Sequence, residues 1–270
     1  LFFTDKGKCY WVKVYDIPEG GRAAKGRAIV NLVGCEPDEK VSAFISVKEF
    51  NEDHYVVMAT EKGMVKKTKL SAYSNPRKKG IYAVEIREGD RLIEARVSTG
   101  DNDILLGTRN GKSIRFSEEQ IRASGRKTMG VKGITLSSED DRLVGMLLIK
   151  REGGTVLVAT EKGFGKRTEI SQYRAQKRGG KGVLTMKTTD KVGKMVTIKE
   201  VVDKDDLMII TNQGVLIRLP VAQIRSIGRA TQGVKLIKLG EGTLVSSITR
   251  IMSEEEDDEN NNTKPADPKE

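Results

Sequence analysis

The chain repeats one pattern five times, and this repetition limits the possible folds more than any other feature. An apolar run ends in Thr-x-x-Gly at five places, with the glycines at Gly7, Gly63, Gly111, Gly163 and Gly214. Neighbouring glycines are 48 to 56 residues apart, a period typical of propeller-type repeats. The polar pair before each glycine suits a tight hairpin whose last residue adopts a positive φ, where glycine is unstrained. We therefore predict five supersecondary units.

Each unit has the pattern of four short strands. After the hairpin come a basic or glycine-bearing connection, a third strand, a polar bend and a fourth strand. We expect the third strands at Ala28 to Leu32, Ile81 to Val84, Val131 to Leu136, Val183 to Met186 and Val234 to Leu239. Short strands, dense glycine and the lack of a long 3.6-residue period predict an all-β, propeller-like ring of four-stranded blades. The predicted repeats lie near residues 1–45, 46–97, 98–149, 150–201 and 202–252.

The net charge of +10 is distributed unevenly along the chain. Residues 253–270 contain eight acidic and two basic residues, so residues 1–252 carry a net charge of +16. A body this basic indicates a polyanionic partner, either nucleic acid or an anionic membrane. No apolar stretch approaches membrane-spanning length, so we predict no membrane partner. The tail, 253–270, is predicted to be disordered, either as a solubilising end or as an anionic strand that competes with DNA.

The residues that metal sites and catalysis usually need are scarce. Cys9, Cys35 and His54 have no metal-ligand spacing, so we predict no zinc or other metal site. The segment Gly111-Lys112-Ser113 lacks the upstream glycine of a phosphate-binding loop and belongs to a hairpin. We therefore predict no catalytic residues in this chain and no enzyme activity of its own.

Basic residues recur at two phases of the repeat, and we predict that both sets bind DNA. The connections carry Arg22, Lys25, Arg27, Arg77, Lys78, Lys79, Arg122, Arg126, Lys127, Arg225 and Arg229. Four residues after the turn glycine come Lys67, Arg115, Arg167 and Arg218. Cations at a common phase would form one positive band along which phosphates can bind and duplex DNA can bend. Without a helix to enter the major groove, sequence-specific binding is not expected.

The most distinctive connection is Gln176-Lys177-Arg178-Gly179-Gly180-Lys181-Gly182. Three cations and three glycines predict an exposed loop whose backbone can approach a polyanion. The string resembles the Q-R-R-G-G-K-G box of DNA gyrase A subunits, with Lys177 in place of the first arginine. The strings Arg225 to Val234 and Gly163 to Thr168 resemble the C-terminal domain of the same family, and the resemblance extends across most of residues 1–252.

This resemblance implies a fold and a function. In the family the domain is a β-pinwheel, in which neighbouring blades share strands. It wraps double-stranded DNA positively, so that ATP-driven strand passage introduces negative supercoils. By resemblance, Gln176 to Gly182 have the role of the box in that wrap.

The resemblance also implies the setting of the domain. The expected partners are DNA, the N-terminal part of the gyrase A subunit and the gyrase B subunit, in an A2B2 enzyme of the bacterial cytoplasm, at the nucleoid. That parent enzyme is expected to use ATP and Mg, whereas this domain needs no cofactor. The chain opens at Leu1 without methionine, so we interpret it as a piece of a larger protein that contains the cleaving tyrosine and the ATP site elsewhere.

The sequence leaves two alternative functions open. The C-terminal domain of the topoisomerase IV A subunit shares the repeats but lacks an intact box and serves decatenation. A propeller-type scaffold for protein interactions would need exposed apolar or aromatic residues on a rim. The family usually has six blades with the box in the first, whereas this chain has five repeats with the box in the fourth.

Overall fold

The computed structural model describes residues 1–20, 26, 28–150 and 153–252. The described residues form two compact units, one within residues 1–150 and 173–184 and the other within residues 151–172 and 185–270. The predicted DNA-binding residues Arg22, Lys25 and Arg27 and the predicted disordered tail lie outside the described residues.

The regular secondary structure of the described residues is almost entirely β-strand, so the predicted all-β class is confirmed. The strands are β1 (Phe2–Thr4), β2 (Lys8–Tyr10), β3 (Val41–Phe44), β4 (Tyr55–Thr60), β5 (Met64–Lys69), β6 (Ile81–Tyr82), β7 (Leu92–Ser98), β8 (Asp103–Thr108), β9 (Lys112–Ser117), β10 (Val131–Lys132), β11 (Leu143–Ile149), β12 (Thr155–Thr160), β13 (Phe164–Glu169), β14 (Val183–Leu184), β15 (Met195–Val201), β16 (Asp206–Thr211), β17 (Leu216–Pro220), β18 (Val234–Lys235) and β19 (Val245–Ile251). The helical elements are α1 (Ile29–Val33) and the 3₁₀ turns Val14–Asp16, Leu70–Tyr73, Glu118–Gln120, Ile170–Gln172 and Val221–Gln223. None of these described helices has the length and apolar character needed to cross a membrane.

The strands form five antiparallel sheets, which we name A to E in chain order. Their strand orders are β3-β1-β2-β6, β10-β5-β4-β7, β11-β8-β9-β14, β15-β12-β13-β18 and β17-β16-β19. The two-residue third strand of a repeat pairs in the sheet of the repeat before it, as β6 does with β2, β10 with β5, β14 with β9 and β18 with β13. Strand sharing between neighbours, which the family resemblance implied, is therefore confirmed. Sheet E has only three strands among the described residues.

The turn glycine is the point at which the next repeat joins the sheet. Gly63 has φ +81° and donates its N–H to Thr60 O at 2.9 Å, closing the hairpin. Its carbonyl accepts hydrogen bonds from Gly133 N at 2.9 Å and Ile134 N at 3.3 Å, both in the next repeat. A Cβ on Gly63 would lie 2.9 Å from Ile134 Cγ2. This position therefore requires glycine both for its positive φ and for the close approach of its neighbour.

The first repeat departs from this scheme, and the predicted strand from Ala28 to Leu32 is wrong. The segment forms α1 instead, with Asn31 N donating to Ala28 O and Gly34 N donating to Val30 O. The other third strands exist because a preceding sheet supplies their hydrogen-bond partners. The described residues contain no preceding sheet for this segment, so its backbone groups are satisfied by local helical bonds instead.

The core lies between neighbouring sheets, and β4 shows how. Val56 and Met58 pack in one apolar cluster with residues of sheet A, whereas Val57 and Ala59 pack in another with residues of sheet C. Successive side chains of a strand point to opposite faces, so a sheet covered on both faces has a continuous apolar run. Sheet B is therefore packed on both sides within the first unit.

Substitutions at two turn glycines should separate the effect of the positive φ from the effect of crowding by the next repeat. We expect Gly63→Ala to lose about 1–2 kcal/mol of unfolding free energy from the positive φ and about 1–3 kcal/mol more from crowding against Ile134. Gly214→Ala is the control, because Gly214 has φ +80° but no described atom within 4 Å of a Cβ there. Urea unfolding followed by circular dichroism measures both. Equal losses would contradict the effect of crowding.

Candidate nucleic-acid interface

A recurring backbone hydrogen bond joins a basic connection to the repeat before it. We name the connections loop 2 (76–80), loop 3 (122–130), the box loop (176–182) and loop 5 (225–233). Thr128 O of loop 3 accepts from Glu85 N at 3.1 Å, and Gly180 O of the box loop accepts from Thr135 N at 2.9 Å. Each donor stands five residues after the glycine that ends the preceding loop. Loops 2 and 3 and the box loop are therefore consecutive neighbours in the first unit.

Loop 5 has the equivalent bond inside the second unit. Thr231 O accepts from Lys187 N at 2.9 Å, and Lys187 again stands five residues after a loop-ending glycine, Gly182. Both units therefore use the same bond to hold a basic loop.

Each of these loops presents cations to solvent. The exposed cations are Arg77, Lys78 and Lys79 in loop 2, Arg122 and Lys127 in loop 3, Lys177 and Lys181 in the box loop, and Arg225 in loop 5. Arg126 and Arg229 are half-buried. The sequence-predicted loop cations among the described residues are thus placed where a polyanion can reach most of them.

The backbone of the box loop lies directly on the preceding sheet. Gln176 N donates to Arg115 O at 2.8 Å, and Gly179 N donates to Gly133 O at 2.6 Å. Gly182 has φ +68°, and a Cβ there would lie 2.3 Å from Ser113 O in β9. From the sequence, the glycines are expected to allow close approach of a polyanion. The structure shows that Gly182 is required by close approach to the protein's own strand.

The three cations of the box are not equivalent. Arg178 donates from Nε to Gln120 O at 3.0 Å and from Nη1 to Lys132 O at 3.2 Å, and its N–H bonds to Gln120 Oε1 at 2.9 Å. Lys177 and Lys181 are exposed, and their side chains make no hydrogen bond or ion pair with another described residue. Arg178 therefore fastens the loop to the 3₁₀ turn that ends at Gln120 and to strand β10, while the two lysines remain available to an anion.

The cations that follow the turn glycines have structural partners. Lys67 is 7% exposed, with its Nζ 3.3 Å from Glu118 Oε1. Arg167 is 8% exposed, donates from Nε to Ile224 O at 2.8 Å and pairs with Asp203. Both are buried and bonded within the protein, so their predicted contact with DNA stays a prediction that this geometry does not favour.

The other two cations of this set are also paired. Arg115 Nε donates to Asp103 Oδ2 at 2.8 Å, and Arg218 Nε donates to Asp206 Oδ2 at 2.7 Å. In both cases the carboxylate lies on the neighbouring antiparallel strand. Their predicted contact with DNA stays a prediction, now with a competing acid at each position.

The comparisons with known proteins agree with this geometry. The family model of the DNA gyrase C-terminal domain, described as a β-propeller, matches residues 1–48, 54–99, 102–150, 154–201 and 205–251. The chain belongs to this family. The DNA gyrase A subunit of Staphylococcus epidermidis is 46% identical over 257 residues, and that of Staphylococcus aureus is 45% identical over 256 residues. Each alignment covers 94% of this chain but only 29% of the relative.

Solved structures show the same fold. The C-terminal domain of DNA topoisomerase IV matches with a TM-score of 0.85 at 25% identity, covering 93% of this chain and 78% of that one. A DNA gyrase A C-terminal domain matches with a TM-score of 0.80 at 21% identity, covering 93% and 81%. The propeller description of the family therefore applies to this chain.

Two buried lysines were not predicted from the sequence. Lys66 and Lys166 stand directly before Lys67 and Arg167 and are 2% and 0% exposed. Because side chains alternate along a strand, two adjacent cations must face opposite sides of the sheet. That pattern was visible in the sequence and indicated that the two cations of each pair face opposite sides of the sheet, but not which groups they bind.

Both ammonium groups bond to the backbone of a basic loop. Lys66 Nζ donates to Arg126 O of loop 3 at 2.5 Å, and to Ala83 O at 2.8 Å. Lys166 Nζ donates to Gly228 O of loop 5 at 2.6 Å and also to Arg229 O. Burial, together with the charge of Arg126 beside Lys66 and of Arg229 beside Lys166, lowers the pKa of each lysine to about 8.

Removal of Arg178 should loosen the box loop. In Arg178→Ala we expect the amide hydrogens of Gly179 and Thr135 to exchange about tenfold faster or more, since the bonds to Gln120 and Lys132 are lost. Hydrogen exchange read by NMR measures this. Lys181→Ala, which removes an exposed cation of the same loop, should leave both amides protected. Equal effects of the two substitutions would contradict the role of Arg178.

The buried lysines predict how stability depends on pH. The folded pKa of about 8 lies below the ordinary value of 10.5, so the folded state binds fewer protons than the unfolded state between these values. Stability should therefore rise with pH through this window, by about 1 kcal/mol for each lysine between pH 7 and pH 9. Urea unfolding at pH 7 and at pH 9 measures the difference in unfolding free energy between the wild type and Lys66→Met/Lys166→Met. A difference that is independent of pH would contradict the lowered pKa values.

Proposed function

We propose that this chain binds and wraps duplex DNA without sequence specificity, as the DNA-wrapping domain of a DNA gyrase A subunit. The observation that carries the proposal is the set of basic loops that present cations to solvent, three of them (loop 3, the box loop and loop 5) fixed by the same backbone bond, in a member of the gyrase C-terminal domain family. Cations attract phosphates whatever the base sequence, and binding releases counterions from DNA.

The secondary structure favours backbone contact over base reading. The longest described helix, α1, has five residues, which is too short to act as a recognition helix in the major groove. Phosphate contacts therefore supply the affinity, and the deformability of DNA supplies what selectivity exists.

Bending of the DNA follows from the arrangement of the loops on neighbouring sheets. Because neighbouring loops belong to neighbouring sheets, a duplex that contacts several of them must follow the protein surface. Bending a 20–30 bp site by 40–90° costs about 1–6 kcal/mol, which added phosphate contacts can offset. The exposed lysines Lys177 and Lys181 extend the path across the box loop.

We further propose the setting of the parent enzyme. This chain is the wrapping part of the gyrase A subunit, and it works with the N-terminal part of that polypeptide and with the gyrase B subunit in an A2B2 DNA gyrase of the bacterial cytoplasm. ATP and Mg act in those other parts, and the chain itself uses no cofactor and carries no catalytic residue.

Two observations bear on the alternatives. The solved topoisomerase IV domain has the same fold at 25% identity, whereas the gyrase relatives are 45–46% identical, which favours gyrase over decatenation. An interaction scaffold would use exposed apolar residues, and Val14, Tyr15 and Phe44 are 78%, 75% and 72% exposed. These three, the most exposed of the described large apolar residues, lie in the first repeat, whereas exposed cations recur in the later repeats, so DNA is the favoured partner.

The affinity for DNA should depend steeply on salt. If about eight phosphates are contacted, the association constant should fall by roughly 10³–10⁵ between 50 and 200 mM salt. Fluorescence anisotropy with a labelled duplex measures the slope, and an unrelated sequence of the same length serves as the control for specificity. A nearly flat salt response, or a strong preference for one sequence, would overturn the proposal.

The box lysines should matter more for wrapping than for affinity. Lys177→Ala/Lys181→Ala removes two exposed cations and should reduce the salt slope by about 1.8. Lys78→Ala/Lys79→Ala removes the same charge from loop 2 and is the matched control. If the box loop continues the DNA path, the first variant should lose most of the linking-number change in ligated nicked circles and the second should keep most of it. Equal losses would make the box one basic loop among several.

A further inference from the structure

The basic loops differ in the side chain that lies beneath them. The residue three positions after the turn glycine is Lys66 in sheet B, Ile114 in sheet C and Lys166 in sheet D. The two lysines donate to carbonyls of loops 3 and 5, whereas Ile114 lies under the box loop, 3.4 Å from the place of a Cβ on Gly180. Over the isoleucine the loop is held by its own cation, Arg178.

We propose that Lys66 and Lys166 are positioning residues, whose buried ammonium groups hold loops 3 and 5 in the shape that presents Arg126 and Arg229 to DNA. The proposal rests on the proposed function for what the arginines meet, but the holding of the loops can be tested without DNA.

The lysines are not needed for the fold of the strand. An ammonium group loses its hydration on burial and is tolerated only when hydrogen bonds replace it. Ile114 occupies the equivalent place in sheet C and is 0% exposed, so an apolar side chain satisfies the packing there. The lysine must therefore be explained by what it bonds to, which is the backbone of a loop 60 or more residues away in sequence.

The bonds act at the arginines themselves. The ammonium group of Lys66 donates only to backbone carbonyls among the described residues, those of Ala83 and Arg126. In loop 5 the carbonyl oxygen of Arg229 accepts a hydrogen bond from Lys166, and the backbone N–H of Arg229 donates to Gln172 Oε1 at 3.3 Å. Fixing the peptide groups of an arginine fixes the direction in which its side chain leaves the backbone.

The arrangement also concentrates positive charge. The charge of Arg126 lowers the pKa of Lys66, and the charge of Arg229 lowers that of Lys166, so each pair is close enough to interact. A phosphate that binds either arginine is also attracted electrostatically by the ammonium group beneath that arginine. The buried lysine thus contributes to the binding of an anion that it does not touch.

The test replaces both lysines by a flexible apolar residue of similar length, in Lys66→Met/Lys166→Met. We expect the variant to remain folded, with the amides of Glu85 and Lys187, which bond to loops 3 and 5, exchanging about tenfold faster or more. The salt slope of DNA binding should fall by about 1.8, as if two phosphate contacts were lost, although neither substituted residue is exposed.

Two controls separate this effect from charge and volume. Lys40→Met/Lys238→Met removes two lysines whose side chains have no partner among the described residues, and should change neither the exchange nor the slope by a comparable amount. Ile114→Met changes a buried side chain at the equivalent position, and should leave loops 3 and 5 protected. The single substitutions, which affect different compact units, provide the same readouts if the double variant is poorly folded.

The outcomes are distinguishable. Wild-type exchange at Glu85 and Lys187 in the double variant would overturn the proposal, as would a lower thermal midpoint with an unchanged salt slope, which indicates a purely structural role. A wild-type protein that does not bind DNA would overturn the proposed function instead. In that case hydrogen exchange without DNA still decides whether the lysines hold the loops.

Discussion

The structure depends on the hydrogen bonds that join a turn glycine to the residues directly after the third strand of the next repeat. Gly63 O receives Gly133 N and Ile134 N, while the positive φ of Gly63 closes its own hairpin. One glycine therefore closes a hairpin with its N–H and binds the next repeat with its carbonyl oxygen. A repeat becomes a complete four-stranded sheet only when the following repeat supplies its two-residue strand, as β10 does for sheet B.

This joint determines where the basic loops lie. Each loop from loop 2 onward ends where a third strand begins, and that strand is fixed on the preceding sheet. Within the first unit, the recurring bond to the residue five positions after a loop-ending glycine then places the next loop beside it. The positions of the exposed cations are therefore set by the sharing of strands between neighbouring repeats. Cations within the sheets, such as Lys67 paired with Glu118, stabilise the sheets instead.

Much of this could be predicted from the sequence, because hairpin glycines and short apolar strands are local signals. The all-β class, the turns and the exposure of Lys177 and Lys181 follow from such signals. The role of a cation depends on residues far away in sequence, so the inward bonds of Lys66 and Arg178 could not be predicted. For the same reason α1 replaced a predicted strand: its residues favour β-structure, but the described chain offers no sheet to pair with.

The fixed loops are proposed to guide duplex DNA along a curved path. The most direct measurement is the linking number of nicked circles that are religated in the presence of increasing amounts of the wild-type protein. Wrapping of the kind that the gyrase family resemblance implies predicts a positive change in linking number that grows with protein until the DNA is saturated. Tight binding with no change in linking number, or with a negative change, would contradict wrapping of this kind.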